Sequence, residues 1–192
     1  MTILHDDAEA ALWQRAMQRE GDAFAQLFDL HQNRVFSRAV GLTENAHDAE
    51  DVTAAAFFEL WRKRRSVRVV DGSVLPWLLV TTVNLARNRR RSTMRYEKLL
   101  RAAPRHECVE GPDAESIETR RRLTESLARL APVDGALFVL TSVEGYPITE
   151  AAEALGLRPA TARVRLHRAR ARLRTELHDL DPRLRFAEGT SR

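Results

Sequence analysis

The chain has 192 residues, of which 44% are hydrophobic, 6% aromatic and 30% charged, with a net charge of +4. That is enough apolar material for one domain or two small ones, yet it contains no run of eighteen apolar residues and no charged-then-apolar leader, so membrane insertion and export are not expected and the protein is placed in the cytoplasm. The lone cysteine, Cys108, excludes an internal disulfide; with His106 it makes at most half a metal site, and it is read as a plain thiol.

Glycine and proline are sparse and no alternating strand pattern persists, so the chain is read as all-α: two small helical domains joined by a flexible linker, the C-terminal one a helix-turn-helix. The first unit spans residues 6–92. "AALWQRAMQRE" opens it as a helix, and the next carries Phe24, Phe28, His31 and Val35 on one stripe. The third helix, "DAEDVTAAAFFELWRKRR", has acids in its first turns and cations in its last, the arrangement a helix dipole favours. "DGS" at residues 71–73 marks a turn. Pro76 then begins a fourth helix whose front half, "WLLVTTV", is apolar nearly all round and expected to be mostly buried, whereas its back half, "NLARNRRR", is not. Phe57 and Trp61 are read as core.

Residues 93–113, with a proline, a "GP" pair and mixed charges, are expected as the linker, although "MRYEKLLRA" is also compatible with an extension of the fourth helix. The second unit spans residues 114–180 and ends on two helices. "PITEAAEALGL" places Ile148, Ala151, Ala152 and Leu155 on one side, and Gly156 supplies a turn. After it, Ala162, Leu166, Ala169, Leu173, Leu177 and Leu180 recur at helical steps. Seven arginines crowd residues 156–174, and almost no carboxylate is interleaved before Glu176, so they are not paired as on a salt-bridged surface helix. A short helix, a glycine turn and a helix with a basic outer face make a helix-turn-helix pattern.

Charge is sorted along the chain. Residues 1–60 carry −7, residues 61–105 carry +11, residues 106–157 carry −6 and residues 158–192 carry +6. Basic blocks are the footprint expected for nucleic acid; acidic ones would be repelled by it and face another partner or water.

In their order and spacing, "GDAFAQLF", "DAEDVTAAAFFELWR" and "LPWLLVTTVNLARNRRR" in the first unit, with "LARL", "EGYPITEAAEALGL" and "ATARVRLHRARARLR" in the second, resemble the sigma factors of bacterial RNA polymerase, most closely the two-domain extracytoplasmic-function group. The resemblance implies a non-enzymatic specificity subunit with a region-2-like first domain, a region-4-like second domain, and no cofactor or metal. It docks on core RNA polymerase, reads the upstream −35 element of promoter DNA with the second domain, and reads and opens the −10 element with the first. An anti-sigma factor is a further partner common in the group, and no sensing domain is expected after the last helix.

By the same resemblance, Asp48, Glu50 and Asp51 face the polymerase clamp. Arg87, Arg89, Arg90 and Arg91 face phosphates, while Asn84 and Asn88 meet base edges or backbone, or are ordinary surface polarity. The pocket for an unstacked base falls in residues 65–75, with Arg68, Asp71 and Ser73 as polar candidates; Trp77 is either a stacking face or core. In the upstream reader the candidates are Arg158, Thr161, Arg163, Val164, Arg165 and Arg168, with Val164 placed to touch a thymine methyl. Three departures from the family pattern stand out. Ala54 and Ala55 replace a usual Gln and acid, Gly135 weakens its helix, and Arg158 sits where a capping Ser is usual. The promoter elements lie roughly 50–60 Å apart, so the linker must be drawn out and the free protein is expected to bind promoters weakly. The rival reading is a helix-turn-helix regulator whose first half senses a ligand or dimerises, binding duplex DNA without polymerase. An enzyme is not expected, since the six histidines are scattered and no Gly-rich phosphate loop is present.

Overall fold

A computed structural model describes residues 3–100 and 114–178. The first unit contains α1 (Ile3–Met17), α2 (Gly21–Val40), α3 (Ala46–Lys63) and α4 (Leu75–Leu100); the second contains α5 (Ala114–Arg129), α6 (Pro132–Phe138), α7 (Ile148–Leu155) and α8 (Pro159–Glu176). Cys108, His106 and Leu180, and residues 101–113 of the expected linker, lie outside the described residues. Among those described, the β pairing is confined to one bridge, Val70 with Ser73, and no helix is long and apolar enough to cross a membrane.

Local rules explain most of these helices. Asn45 is extended and its side chain accepts the Asp48 amide at 2.8 Å, capping α3, whose Ala49, Val52, Ala56, Phe57 and Leu60 recur at helical spacing and are buried. α6 starts at Pro132 and ends in a widened π turn over residues 139–143, closed by the Glu144 amide on the Val139 carbonyl at 3.0 Å. α8 buries Ala162, Leu166, Ala169 and Leu173, the stripe expected from the sequence.

One core lies wholly in the first unit: Trp13 and Ala16 of α1, Leu27 and Val35 of α2, Phe57 and Leu60 of α3, and Leu78 of α4. A second core belongs to both units. Leu42, Val52, Leu79, Val83 and Ala86 from the first pack with Leu127, Leu137, Phe138, Leu140, Leu166 and Leu173 from the second. α4 is the shared wall, contacting α3 on one side and α5, α6 and α7 on the other.

α4 runs on to Leu100, the extension that "MRYEKLLRA" left open, so residues 93–100 are helix rather than loose tether. Within its back half Ala86 and Arg90 are buried at 2% and 5% exposure, because the second unit lies against them. The front half behaves as expected, with Leu78, Leu79 and Thr82 fully buried. Trp61 and Trp77 are half-buried, Trp77 packed against the first core and Trp61 edge-on to Phe24, with ring centroids 5.0 Å apart.

Candidate nucleic-acid interface

α7 closes with the Leu157 amide on the Ala152 carbonyl at 2.8 Å and the Gly156 amide on Glu153 at 2.9 Å, while Gly156 turns left-handed at φ 66°. The backbone is what requires glycine there, since L side chains avoid that region; a Cβ would also fall 1.7 Å from Nη1 of Arg68, but that exposed guanidinium can swing aside. Gly156→Ala is expected to destabilise by ~1–2 kcal/mol through the backbone alone, read as a lower urea midpoint; an unchanged midpoint would contradict this. Arg158 is the N-cap of α8 and provides no side-chain cap; Pro159 begins the helix.

The outer face of α8 presents Arg158, Thr161, Arg163, Val164 and Arg168, all exposed, with Val164 at 51%. Arg158, Arg163 and Arg168 have no ion-pair or hydrogen-bond partner among the described residues. Arg165 is different: its Nε donates to Asp134 Oδ1 of α6 at 2.8 Å, so it ties α8 to its own unit. Five of the six upstream candidates therefore share one open surface, three of them cations with nothing internal to neutralise them.

The candidates around α4 are spent differently. Arg87 donates from Nε and Nη2 to the Leu130 carbonyl at 3.0 and 2.9 Å, across the unit boundary; burial, then the like charge of Arg91, lowers its pKa. Arg89 binds Asp48 and, at 3.1 Å, Asp51 on α3, and its bond to Asp48 is the main cause of its raised pKa. Buried Arg90 joins Glu44 of the first unit to Glu125 of the second, with Glu97 3.8 Å away. In this arrangement Arg87 and Arg90 turn inward, Arg89 is exposed but paired to α3, and Asn88 and Arg91 are exposed. Asn84 is half-buried, with its Oδ1 buried and unpartnered.

In the loop before α4, Asp71 (φ 50°) and Gly72 (φ 76°) form a two-residue hairpin turn closed by Val70 and Ser73, whose amides and carbonyls exchange bonds of 3.0 Å. Arg68 and Asp71 are exposed at its rim. Asp71 lies near α7, where burial first and the Asp71 charge second push the Glu150 carboxyl up. The Ser73 hydroxyl is engaged within the fold, donating to Glu9 Oε1 at 2.9 Å and accepting the Leu75 amide at 3.1 Å.

Of the acids on α3, Asp48 and Asp51 hold Arg89, and Glu50 is exposed. The same helix carries a surface that sequence reasoning missed. Phe58 is 62% exposed and lines an apolar groove with Phe24, Phe28, Ala54 and Trp61. Arg64 lies over Trp61, its guanidinium 4.6 Å from the ring centroid. The sequence offered only the pair Phe57–Phe58: adjacent helical residues point about 100° apart, so the two phenylalanines face different surroundings.

Residues 27–96 match the family described as Sigma-70 region 2, and residues 120–173 match Sigma-70, region 4. The chain is 31% identical to RNA polymerase sigma factor CarQ of Myxococcus xanthus over 166 residues, 83% of this chain and 92% of CarQ. It is 34% identical to ECF RNA polymerase sigma factor SigE of Mycolicibacterium smegmatis over 158 residues, 79% of this chain but 60% of SigE. In fold it is similar to CnrH, solved in complex with the cytosolic domain of CnrY, at a TM-score of 0.56 and 24% identity, covering 89% of this chain and 97% of CnrH. With a helix-turn-helix whose Arg158, Arg163 and Arg168 are unpaired among the described residues, a helical unit ahead of it, and both regions matched in order, the chain belongs to the extracytoplasmic-function (ECF) group of RNA polymerase sigma factors.

Proposed function

We propose that this sigma factor, which directs core RNA polymerase to promoters, divides the work between its units: the outer face of α8 reads the −35 element, and the hairpin at residues 70–73 with α4 reads and opens the −10 element. The observation that carries this is the open cationic face of α8, where Arg158, Arg163 and Arg168 lack internal partners among the described residues. Thr161 and Val164 on the same face supply a hydroxyl and a methyl-sized contact for base edges. In the downstream unit Arg68, Asp71, Asn88 and Arg91 are exposed toward solvent. Because Arg87 and Arg90 are occupied across the unit boundary, the units part when both elements are engaged, releasing those two guanidinium groups for phosphate. The protein works in the cytoplasm by binding alone, without chemistry of its own, and an anti-sigma factor belongs to its set of partners.

Polymerase docks on the outer side of α3. Asp48 and Asp51 are engaged with Arg89, although Asp51 is exposed; the exposed set without an internal ion pair there is Glu50, Ala54 and Phe58, with Ala54 and Phe58 an apolar contact where related chains use polar ones. Phe58→Asp is expected to weaken binding to core polymerase by roughly tenfold to a hundredfold, the range for losing a buried aromatic anchor. It should leave the melting temperature unchanged, since a residue 62% exposed holds little of the core. Equal affinity of parent and variant would remove Phe58 from the docking surface.

The whole reading is tested by transcription. Purified core polymerase with this chain is expected to initiate from a subset of a broad promoter library on which core alone is silent. Silence across the library, together with tight binding of polymerase-free duplex DNA, would favour a helix-turn-helix regulator instead.

A further inference from the structure

The inward stripe of α1 is interrupted by a carboxylate. Glu9 precedes Trp13 and Ala16 at spacings of four and seven, and all three are buried, Glu9 at 7% exposure. Burying an ionised carboxylate costs several kcal/mol unless hydrogen bonds replace its water. Here one oxygen takes three: Oε1 lies 2.9 Å from His31 Nε2, 2.9 Å from the Ser73 hydroxyl and 2.8 Å from the Val74 amide. Burial pushes the Glu9 carboxyl up, but the bonds from His31, Val74 and Ser73 outweigh it and hold its pKa below the usual range, so it is ionised at neutral pH.

Two of those donors, Ser73 and Val74, are the last residues before α4, immediately after the hairpin turn at Asp71 and Gly72. The Ser73 oxygen passes the constraint on by accepting the Leu75 amide at 3.1 Å. His31, 5% exposed on α2, fixes the carboxylate from the far side. A single buried anion therefore ties three elements together at the base of the loop, while the loop's rim, Arg68 and Asp71, stays exposed. A two-residue turn on an isolated bridge would otherwise be mobile, because such a hairpin is marginal by itself.

We propose that Glu9 is a positioning residue for promoter opening: through Ser73 and Val74 it holds the residue 70–73 hairpin so that Arg68 and Asp71 meet the base displaced from the −10 element. The proposal rests on the reading that this loop receives an unstacked base. Preorganisation matters at that step because the base must find its pocket before it restacks, and a loop that wanders loses the exchange.

The test uses holoenzyme assembled from core polymerase and the full chain. Open-complex formation is measured on a cognate duplex promoter and on the same promoter with a mismatched, pre-opened −10 segment. Glu9→Gln is expected to slow opening of the duplex roughly tenfold, equivalent to one charge-assisted hydrogen bond, while staying within about twofold of the parent on the pre-opened template and in core-polymerase affinity. Ser73→Ala, which removes a donor without stranding a charge, should slow opening of the duplex to a smaller degree and likewise leave the pre-opened template within about twofold of the parent. Equal losses on the two templates, or full speed on the duplex, would overturn the proposal. Arg68→Ala with Asp71→Ala tests the underlying reading separately: if that pair opens duplex promoters normally while Glu9→Gln does not, the loop is not the base pocket and Glu9 acts elsewhere.

Discussion

Replacing Arg90 with alanine is expected to lower the unfolding free energy by about 2–3 kcal/mol and to let the two units separate. The guanidinium is 5% exposed and is the hinge pin of a carboxylate cluster drawn from both units, Glu44 on one side and Glu125 on the other. Removing one member of a buried ion pair commonly costs about 3–5 kcal/mol, because the partner is stranded without water. The lower figure applies here. Glu44 and Glu97 keep 40% and 37% of their side chains exposed, and Glu125 retains Arg121 and Arg129. Arg90 Nε is itself buried without a partner, which trims the loss further. The second readout is size. A compact chain of this length has a radius of gyration near ~16 Å, and units drawn roughly 50 Å apart would raise it toward ~25–30 Å. Urea denaturation followed by circular dichroism gives the first number and small-angle scattering the second. Arg90→Ala with an unchanged midpoint and an unchanged radius would mean that the ion pairs do not hold the units together and that the shared apolar core alone does.

What the sequence could and could not disclose follows from the range of the interactions. The α7–α8 pair was legible because everything it needs is local: an apolar period, a glycine at a left-handed turn, and arginines without neighbouring carboxylates. The pairing at the rear of α4 was not legible for the opposite reason. Arg87, Arg89, Arg90 and Arg91 form one cationic block in sequence, yet Arg90 meets Glu44 and Glu125, 46 and 35 residues away, and Arg87 meets a backbone carbonyl 43 residues on. A block count registers net charge and is blind to pairing across a boundary between units. Glu9 and His31 lie between these cases. Each is a polar residue on an apolar stripe, which flags it as unusual, but neither stripe shows that the two face each other or that Ser73 completes the cluster. Ser73 was visible as a loop residue suited to a base pocket; only the fold shows its hydroxyl turned to Glu9.

Arg163→Ala combined with Arg168→Ala is expected to weaken holoenzyme binding to promoter DNA by roughly 30-fold or more, at ~1 kcal/mol or more for each residue. Both side chains are exposed on α8 and have no partner among the described residues, so their removal strands no carboxylate and should leave the melting temperature unchanged. Arg165→Ala supplies the contrast: it breaks a 2.8 Å ion pair with Asp134, so its effect should appear in stability as well as in binding. Salt then separates two ways in which Arg163 and Arg168 can act. Neutralising phosphates releases counterions, so losing both contacts should flatten the slope of log affinity against log salt by ~1.8, and by the same amount on every −35 sequence. Reading guanine edges instead concentrates the loss on the cognate sequence and leaves the weak background binding nearly intact. Val164→Ser completes the set, because a neutral side chain leaves the salt slope alone: a changed preference at one position of the −35 element assigns Val164 to a thymine methyl, and unchanged discrimination removes it from the reading surface. If the double arginine variant initiates as the parent does at every salt concentration, α8 does not contact DNA, and its unpaired charge must serve another partner.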